Sequence, residues 1–167
     1  QLTSYAEATA LYERGRYVEA SEKIGGLLKD HPDDAKAMTL LARVYANQGN
    51  LVEALQWCQR AIAADKLAAG GHYLLATVLQ EQSHVMEAVL SLKRALYLDP
   101  SFVLAHFALG NLTRQQGRLK ESEKHYANAL SLLNAHRSEE VLLESEGMTA
   151  GRLVEIIRST TFKETVA

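Results

Sequence analysis

The chain has 167 residues, 47% of them hydrophobic and 23% charged, with a formal net charge of −2. That length and balance suit one soluble domain with its own core. They exclude the basic footprint of a nucleic-acid or anionic-membrane binder, and no apolar run approaches the ~20 residues a bilayer-spanning helix needs. A single cysteine, Cys58, forbids an internal disulfide and favours a reducing, cytoplasmic setting. The first residue is Gln1 rather than Met, which suggests a piece of a longer protein, and nothing near it has a signal-peptide core.

In chain order, small residues recur every 34 positions. One column holds Ala8, Ala42, Ala76 and Gly110, and another Ala20, Ala54, Ala88 and Ser122. A third holds Gly15, Gly49, Ser83 and Gly117, and a fourth Pro32, Lys66, Pro100 and Asn134. Such a repeat describes stacked units, each unable to bury its apolar face alone. Within a unit the apolar spacing is helical: Met38, Leu41, Ala42 and Tyr45 form one stripe, and Ala54, Leu55, Cys58, Ala61 and Ile62 a second. Each unit therefore reads as helix A, a glycine turn in the left-handed region, then helix B, with Pro32 and Pro100 stopping helix B. Helices are predicted over 2–14, 17–30, 36–48, 51–64, 70–82, 85–98, 103–116 and 119–133. The small pair of each unit lets its two helices approach closely.

After Asn134, residues 137–148 read as a connecting loop and 149–160 as one more helix. Thr149 is a good N-cap, and Leu153, Ile156 and Ile157 make a stripe, with Arg152, Glu155 and Arg158 on the other side. The last helix B of a stack exposes an apolar face, here including Tyr126, Ala129 and Leu133, and this tail is expected to fold back over it as a cap, the alternatives being a tail in a groove or one that orders only on a partner.

These features resemble the tetratricopeptide repeat (TPR), whose pattern is W-x2-L-G-x2-Y, then A-x3-F, then P. Leu109-Gly110 matches its start. Ala20 to Ile24, Ala54 to Cys58, Ala88 to Leu92 and Ser122 to Tyr126 match its second element. The tryptophan is replaced by Ser4, Met38, His72 and His106, and Glu7 stands where leucine is usual. The resemblance implies an all-α, right-handed superhelix (an α-α solenoid) of four repeats, 1–34, 35–68, 69–102 and 103–136, plus the capping helix.

A finer resemblance lies in Ala95-Leu96-Tyr97-Leu98-Asp99-Pro100, in Ala105 to Leu112, and in the tail from Val141 through Gly147-Met148-Thr149-Ala150-Gly151-Arg152-Leu153. These stretches resemble the C-terminal TPR region of bacterial chemoreceptor methyltransferases of the CheR type, from about residue 35 to 158 and most strongly from 86 to 158. In that family the N-terminal part methylates receptor glutamates from S-adenosylmethionine. That part is not in this chain, so the resemblance implies a regulatory or targeting domain whose partner is a chemoreceptor or the parent's own catalytic domain. The alternative is a stand-alone adaptor or scaffold with no enzyme attached.

No catalytic, metal or cofactor-binding residue emerges. The six histidines never pair at i, i+4 on one helix. His72 and His106 occupy equivalent sites one repeat apart, where convergence on a metal would be strained, and each reads as a substitute for the usual tryptophan at the edge of the core. Cys58 reads as a small buried hydrophobe. What remains is a protein-binding surface.

In TPR stacks the A helices line the concave groove. The polar sides of these helices carry Leu2, Tyr5, Thr9 and Tyr12; then Lys36, Thr39, Arg43 and Asn47; then Gly70, Tyr73, Thr77 and Gln80; then Leu104, Phe107, Asn111 and Arg114. Tyr5, Tyr73 and Phe107 share one column, and aromatics interleaved with amides and arginines are the composition of an interface. The competing reading is that these rings only pack on neighbouring helices. The positions at which chaperone-binding TPRs hold a C-terminal carboxylate carry Tyr5, Thr9, Leu40, Gly70 and Leu74, so that clamp is absent. Two local features stand apart: Gly25-Gly26 inside a helix, read as a fraying repeat or a site of close backbone approach by a preceding domain, and Trp57, expected on the convex face, either laid flat over its neighbours or forming a contact patch with Leu90.

Overall fold

A computed structural model describes residues 3–166, with side chains described for 3–161. Its helices are α1 (Ser4–Glu13), α2 (Tyr17–Asp30), α3 (Ala35–Asn47), α4 (Leu51–Ala64), α5 (Ala69–Glu81), α6 (Val85–Leu98), α7 (Val103–Gln115), α8 (Leu119–Leu133) and α9 (Ala150–Val166). Among the described residues the one β feature is an isolated bridge between Val141 and Thr149. The predicted start at residue 2 lies outside the described residues. The chain divides into two compact units, one up to Ser91 and one from Leu92, and the division falls within α6.

The turn between the A and B helices of a unit is built the same way four times. Gly15, Gly49 and Gly117 sit at φ 75°, 79° and 77°, and Ser83 takes the same place at φ 63°. The following residue donates its backbone N–H to a carbonyl five positions back: Arg16 to Leu11 (2.9 Å), Asn50 to Tyr45 (2.9 Å), His84 to Leu79 (2.8 Å) and Arg118 to Thr113 (2.9 Å). This is the Schellman closure, which satisfies carbonyls left over at the helix end and needs one left-handed residue. Ser83 adopts without glycine what the other three turns adopt with it.

In the first unit, α1 begins at Thr3, whose hydroxyl accepts from the Ala6 N–H (3.1 Å), and α3 begins at Asp34, whose carboxylate accepts from the Ala37 N–H (3.0 Å). The small columns are fully buried at Ala8, Ala20, Ala42, Ala54, Ala76 and Ala88. One core cluster joins Ala8, Tyr12, Ala20, Ile24, Leu40, Leu41 and Val44, and a second joins Ala42, Ala54, Cys58, Leu74 and Val78. Tyr45 and Trp57 pack against both. Trp57 therefore lies against its neighbours. It is half-buried between the two clusters, and the Arg60 guanidinium lies 4.6 Å from its ring centre. A large ring beside two apolar clusters is better covered than exposed. Helix α2 runs unbroken through Gly25 and Gly26, and a methyl group added to either would meet nothing within 4 Å. No other part of the described chain comes close to either glycine.

In the second unit, α7 and α8 form the last hairpin. Ser122 donates its hydroxyl proton to the Gly110 carbonyl at 2.7 Å, direct evidence of how near the small columns bring the helices. A Cβ on Gly110 would lie 2.5 Å from the Tyr126 ring, so glycine is required there by the bulk of Tyr126. The capping helix α9 packs against α8, with Leu153 and Ile157 fully buried alongside Leu142 and Ala150. Thr149 caps it, accepting from the Arg152 N–H at 3.2 Å. Within the connecting segment, the bridge is secured by Leu142 N–H to Met148 O (2.9 Å) and Ala150 N–H to Glu140 O (2.8 Å). The helix extends beyond the expected end at 160. Thr160 and Thr161 turn their hydroxyls back onto the Ile156 and Ile157 carbonyls, which lets polar residues continue the helix.

Candidate interaction face

The residues expected to form the binding face fall into three physical classes. Lys36 and Asn47 are exposed, Tyr5 is 37% exposed, and Arg43, Tyr73 and Thr77 are half-buried on the A helices of the first unit. Tyr12 is different: it is only 9% exposed and its ring belongs to the core. Its hydroxyl accepts from the Asn47 amide at 3.1 Å, and the same amide donates to the Arg43 carbonyl at 2.9 Å. Tyr12 is thus a core residue with a polar tip that ties α1 to α3, and it cannot offer its ring to a partner. The tip alone gave the residue its polar look in the sequence.

Leu104, assigned to the same face, is 5% exposed and also belongs to the core. Leu2 lies outside the described residues. The threonines of the face are quiet as donors, because Thr9, Thr39 and Thr77 each return their hydroxyl to a carbonyl four residues back, at Tyr5, Ala35 and Tyr73.

On α7, Phe107 is half-buried and its ring centre is 6.2 Å from that of Tyr126, tilted at 46°. Asn111 accepts a 2.6 Å hydrogen bond from the Tyr126 hydroxyl. Both side chains are partly committed to holding Tyr126, the bulkiest fully buried residue of this unit. Arg114 is exposed in the last turn of α7, where a cation is favoured by the helix dipole.

The chemistry of the buried groups is that of a packing core. Cys58 is 1% exposed, and burial pushes its thiol up to about 12 against a smaller opposing pull from Arg43. A thiol held protonated is a poor nucleophile. His72 is buried in α5, as expected of a residue in the tryptophan's place. Among the described residues, no group of three or more His, Cys, Asp or Glu side chains is arranged to hold a metal ion, and no helix is long and apolar enough to cross a membrane. One pairing escaped the sequence reading: His106 on α7 faces His125 on α8, with ring centres 6.2 Å apart. A search for i, i+4 pairs on one helix cannot see it, because the partners lie on two.

The pattern of paired helices, left-handed turns and small columns is matched by the family model of the tetratricopeptide repeat, over residues 5–69 and again over 73–136. The chain belongs to the tetratricopeptide repeat family. Among solved structures, MamA from Desulfovibrio magneticus RS-1 (residues 41 to the end) matches with a TM-score of 0.70 and 22% identity, over 81% of this chain and 76% of that one. A second MamA crystal structure matches with a TM-score of 0.68 and 19% identity, over 95% of this chain and 94% of that one. An O-GlcNAc transferase mutant from Thermobaculum terrenum matches with a TM-score of 0.69 and 24% identity, over 81% of this chain but 26% of its own. At these identities the likeness is one of fold. Among curated proteins, none matches the chain. The fold is thus all-α, a TPR solenoid closed by a capping helix, and TPR units are a non-catalytic module that binds protein partners.

Proposed function

We propose that this protein is an adaptor or assembly scaffold that holds a protein or peptide partner against its A helices. The observation that carries the reading is the repeat itself, matched by the TPR family over 5–69 and 73–136, since stacked helix pairs with no chemistry of their own serve as binding surfaces. On this reading the working residues of the first unit are Tyr5, Lys36, Arg43, Asn47, Tyr73 and Thr77. Tyr12 supports them from beneath through Asn47. In the second unit, taken by itself, the corresponding side chains are Phe107, Asn111 and Arg114 on α7. The core columns leave these side chains to the surface, and aromatics with arginine are the residues that carry interface energy. The partner is a protein or peptide rather than a nucleic acid, in keeping with the net charge of −2, and the setting we propose is cytoplasmic.

The adaptor reading is favoured over an enzyme-linked one by the MamA likeness, in which a solved chain is covered over 94% of its own length by a chain of this kind. A second reading keeps the targeting domain of a chemoreceptor methyltransferase, on the strength of the tail from Val141 to Leu153. The transferase match, covering 26% of that chain, illustrates that the same fold also serves inside larger enzymes. Co-purification from the native cell discriminates the two. Chemoreceptors or a methyltransferase among the specific partners would favour the second reading, and a partner set free of both would favour the first. The face itself is tested by Arg43→Ala combined with Tyr73→Ala. Binding should weaken while helical content stays the same, and binding unaffected by the double change would exclude this face.

A further inference from the structure

Three buried imidazole nitrogens in the second unit have no hydrogen-bond partner: Nδ1 of His106 and both Nδ1 and Nε2 of His125. Buried polar atoms are nearly always paired, so an orphan cluster calls for an account. His106 has its other nitrogen engaged, with Nε2 3.0 Å from the Pro100 carbonyl. A carbonyl only accepts, so Nε2 donates in that hydrogen bond and Nδ1 is left without a partner within the fold. The His125 ring stands beside it on α8, tilted at 40°, with a side chain only 14% exposed.

The charges around His125 come from each element packed there. On its own helix, Glu121 Oε1 lies 3.7 Å from Nε2, too long for a hydrogen bond. That carboxylate is already claimed by the Arg118 guanidinium and is 3.9 Å from the Lys93 ammonium on α6. From α7 comes His106. On α9, Arg152, Glu155 and Arg158 are all exposed, and Arg152 pairs with Glu155 at 3.2 Å. A proton on His125 would therefore add a third positive charge around one carboxylate, next to a second imidazole and with little access to water.

We propose that the His106–His125 pair makes the fourth repeat a proton-sensitive joint, in which a proton on His125 loosens the packing of α7 on α8. Burial is the largest influence on His125 and holds it below the ordinary histidine value. Glu121 pulls the other way, and His106 and Lys93 add to the depression. The sign follows. A histidine depressed by folding contributes stability above its unfolded value of 6.5, and that contribution is lost as pH falls through the lower folded value. Phe107, Asn111 and Tyr126 sit on the same two helices, so acid would disturb the part of the proposed binding face that α7 supplies. That consequence rests on the adaptor reading, whereas the loosening itself does not.

The test is native-state hydrogen exchange of the full chain at about pH 7.5 and about pH 5.5, corrected for intrinsic rates, a window that spans an ordinary histidine. Amides of α7 and α8 should lose more protection on acidification than those of α1 to α4, and His125→Gln should remove the excess. Equal loss in wild type and His125→Gln, or no excess loss in wild type, would overturn the proposal. If His125→Gln does not fold, the wild-type His125 ring resonance decides. A midpoint below 6.5 that coincides with shifts at Phe107 and Tyr126 supports the joint, and a midpoint at or above 6.5 overturns it. Partner binding is read separately, so a failed adaptor reading leaves this result standing.

Discussion

Replacing Gly110 by alanine should be harmful only while Tyr126 is present. In the native hairpin the new methyl carbon would lie 2.5 Å from Tyr126 Cε1 and 2.6 Å from Cδ1. The ring cannot step aside, since it is 1% exposed, packs on Phe107 and is tethered through its hydroxyl to Asn111 at 2.6 Å. Overpacking of this kind costs about 1–3 kcal/mol. Against it stands the intrinsic gain of alanine over glycine in a helix interior, about 1 kcal/mol. Gly110→Ala alone should therefore destabilise by roughly 0–2 kcal/mol, the difference of those two figures. In a Tyr126→Leu background the clash is gone, and the same substitution should stabilise by about 0.5–1 kcal/mol. Two other repeats already show alanine beside a smaller partner, with Ala8 and Ile24 in one core cluster and Ala42 and Cys58 in another. Chemical denaturation of the four proteins closes a double-mutant cycle. An effect of Gly110→Ala equal in the two backgrounds would refute the argument that Tyr126 dictates the glycine.

Further outcomes are expected from features that stand alone. Gly25→Ala and Gly26→Ala should each raise stability by about 1 kcal/mol in thermal or denaturant melts, because the added methyl meets nothing within 4 Å and the helix gains propensity. Ser83→Gly should stabilise by about 0.5–1 kcal/mol, relieving the left-handed strain at φ 63°, while Gly49→Ala at φ 79° should do the reverse. Cys58 should resist alkylation at neutral pH until the chain unfolds. Because its thiol is raised from 9.0 to about 12, its contribution to stability is present below about pH 9 and declines above it, so Cys58→Ala should show a shallower alkaline loss than wild type.

The helices were legible because the repeat reports the same answer four times. Predicted spans such as 17–30, 51–64, 85–98 and 119–133 coincide with α2, α4, α6 and α8, and the A helices differ by a residue or two at their ends. The left-handed turn could be read at Gly15, Gly49 and Gly117, and the register alone placed Ser83 in it. The surface was less legible, since side-chain direction depends on neighbours that spacing does not reveal. Tyr12 has a polar tip on a ring that the core needs, and Trp57 fills space between two clusters where the equivalent Lys23 instead reaches Glu7 at 2.5 Å. Phe107 and Asn111 looked free until Tyr126 was seen to occupy them. The His106–His125 pairing was invisible for the same reason, being a contact between two helices.

The central claim, that the A-helix face binds a protein partner, is tested most directly by quantitative co-purification from the native cell. Three baits suffice: the wild-type chain, Arg43→Ala with Tyr73→Ala, and a control on the B helices, Val18→Ser with Val52→Ser, at side chains 62% and 67% exposed. Partners should be captured by the wild type and the control and lost from the Arg43/Tyr73 variant, with all three baits equally helical. Partners retained by the Arg43/Tyr73 variant and lost from the Val18/Val52 variant would contradict it.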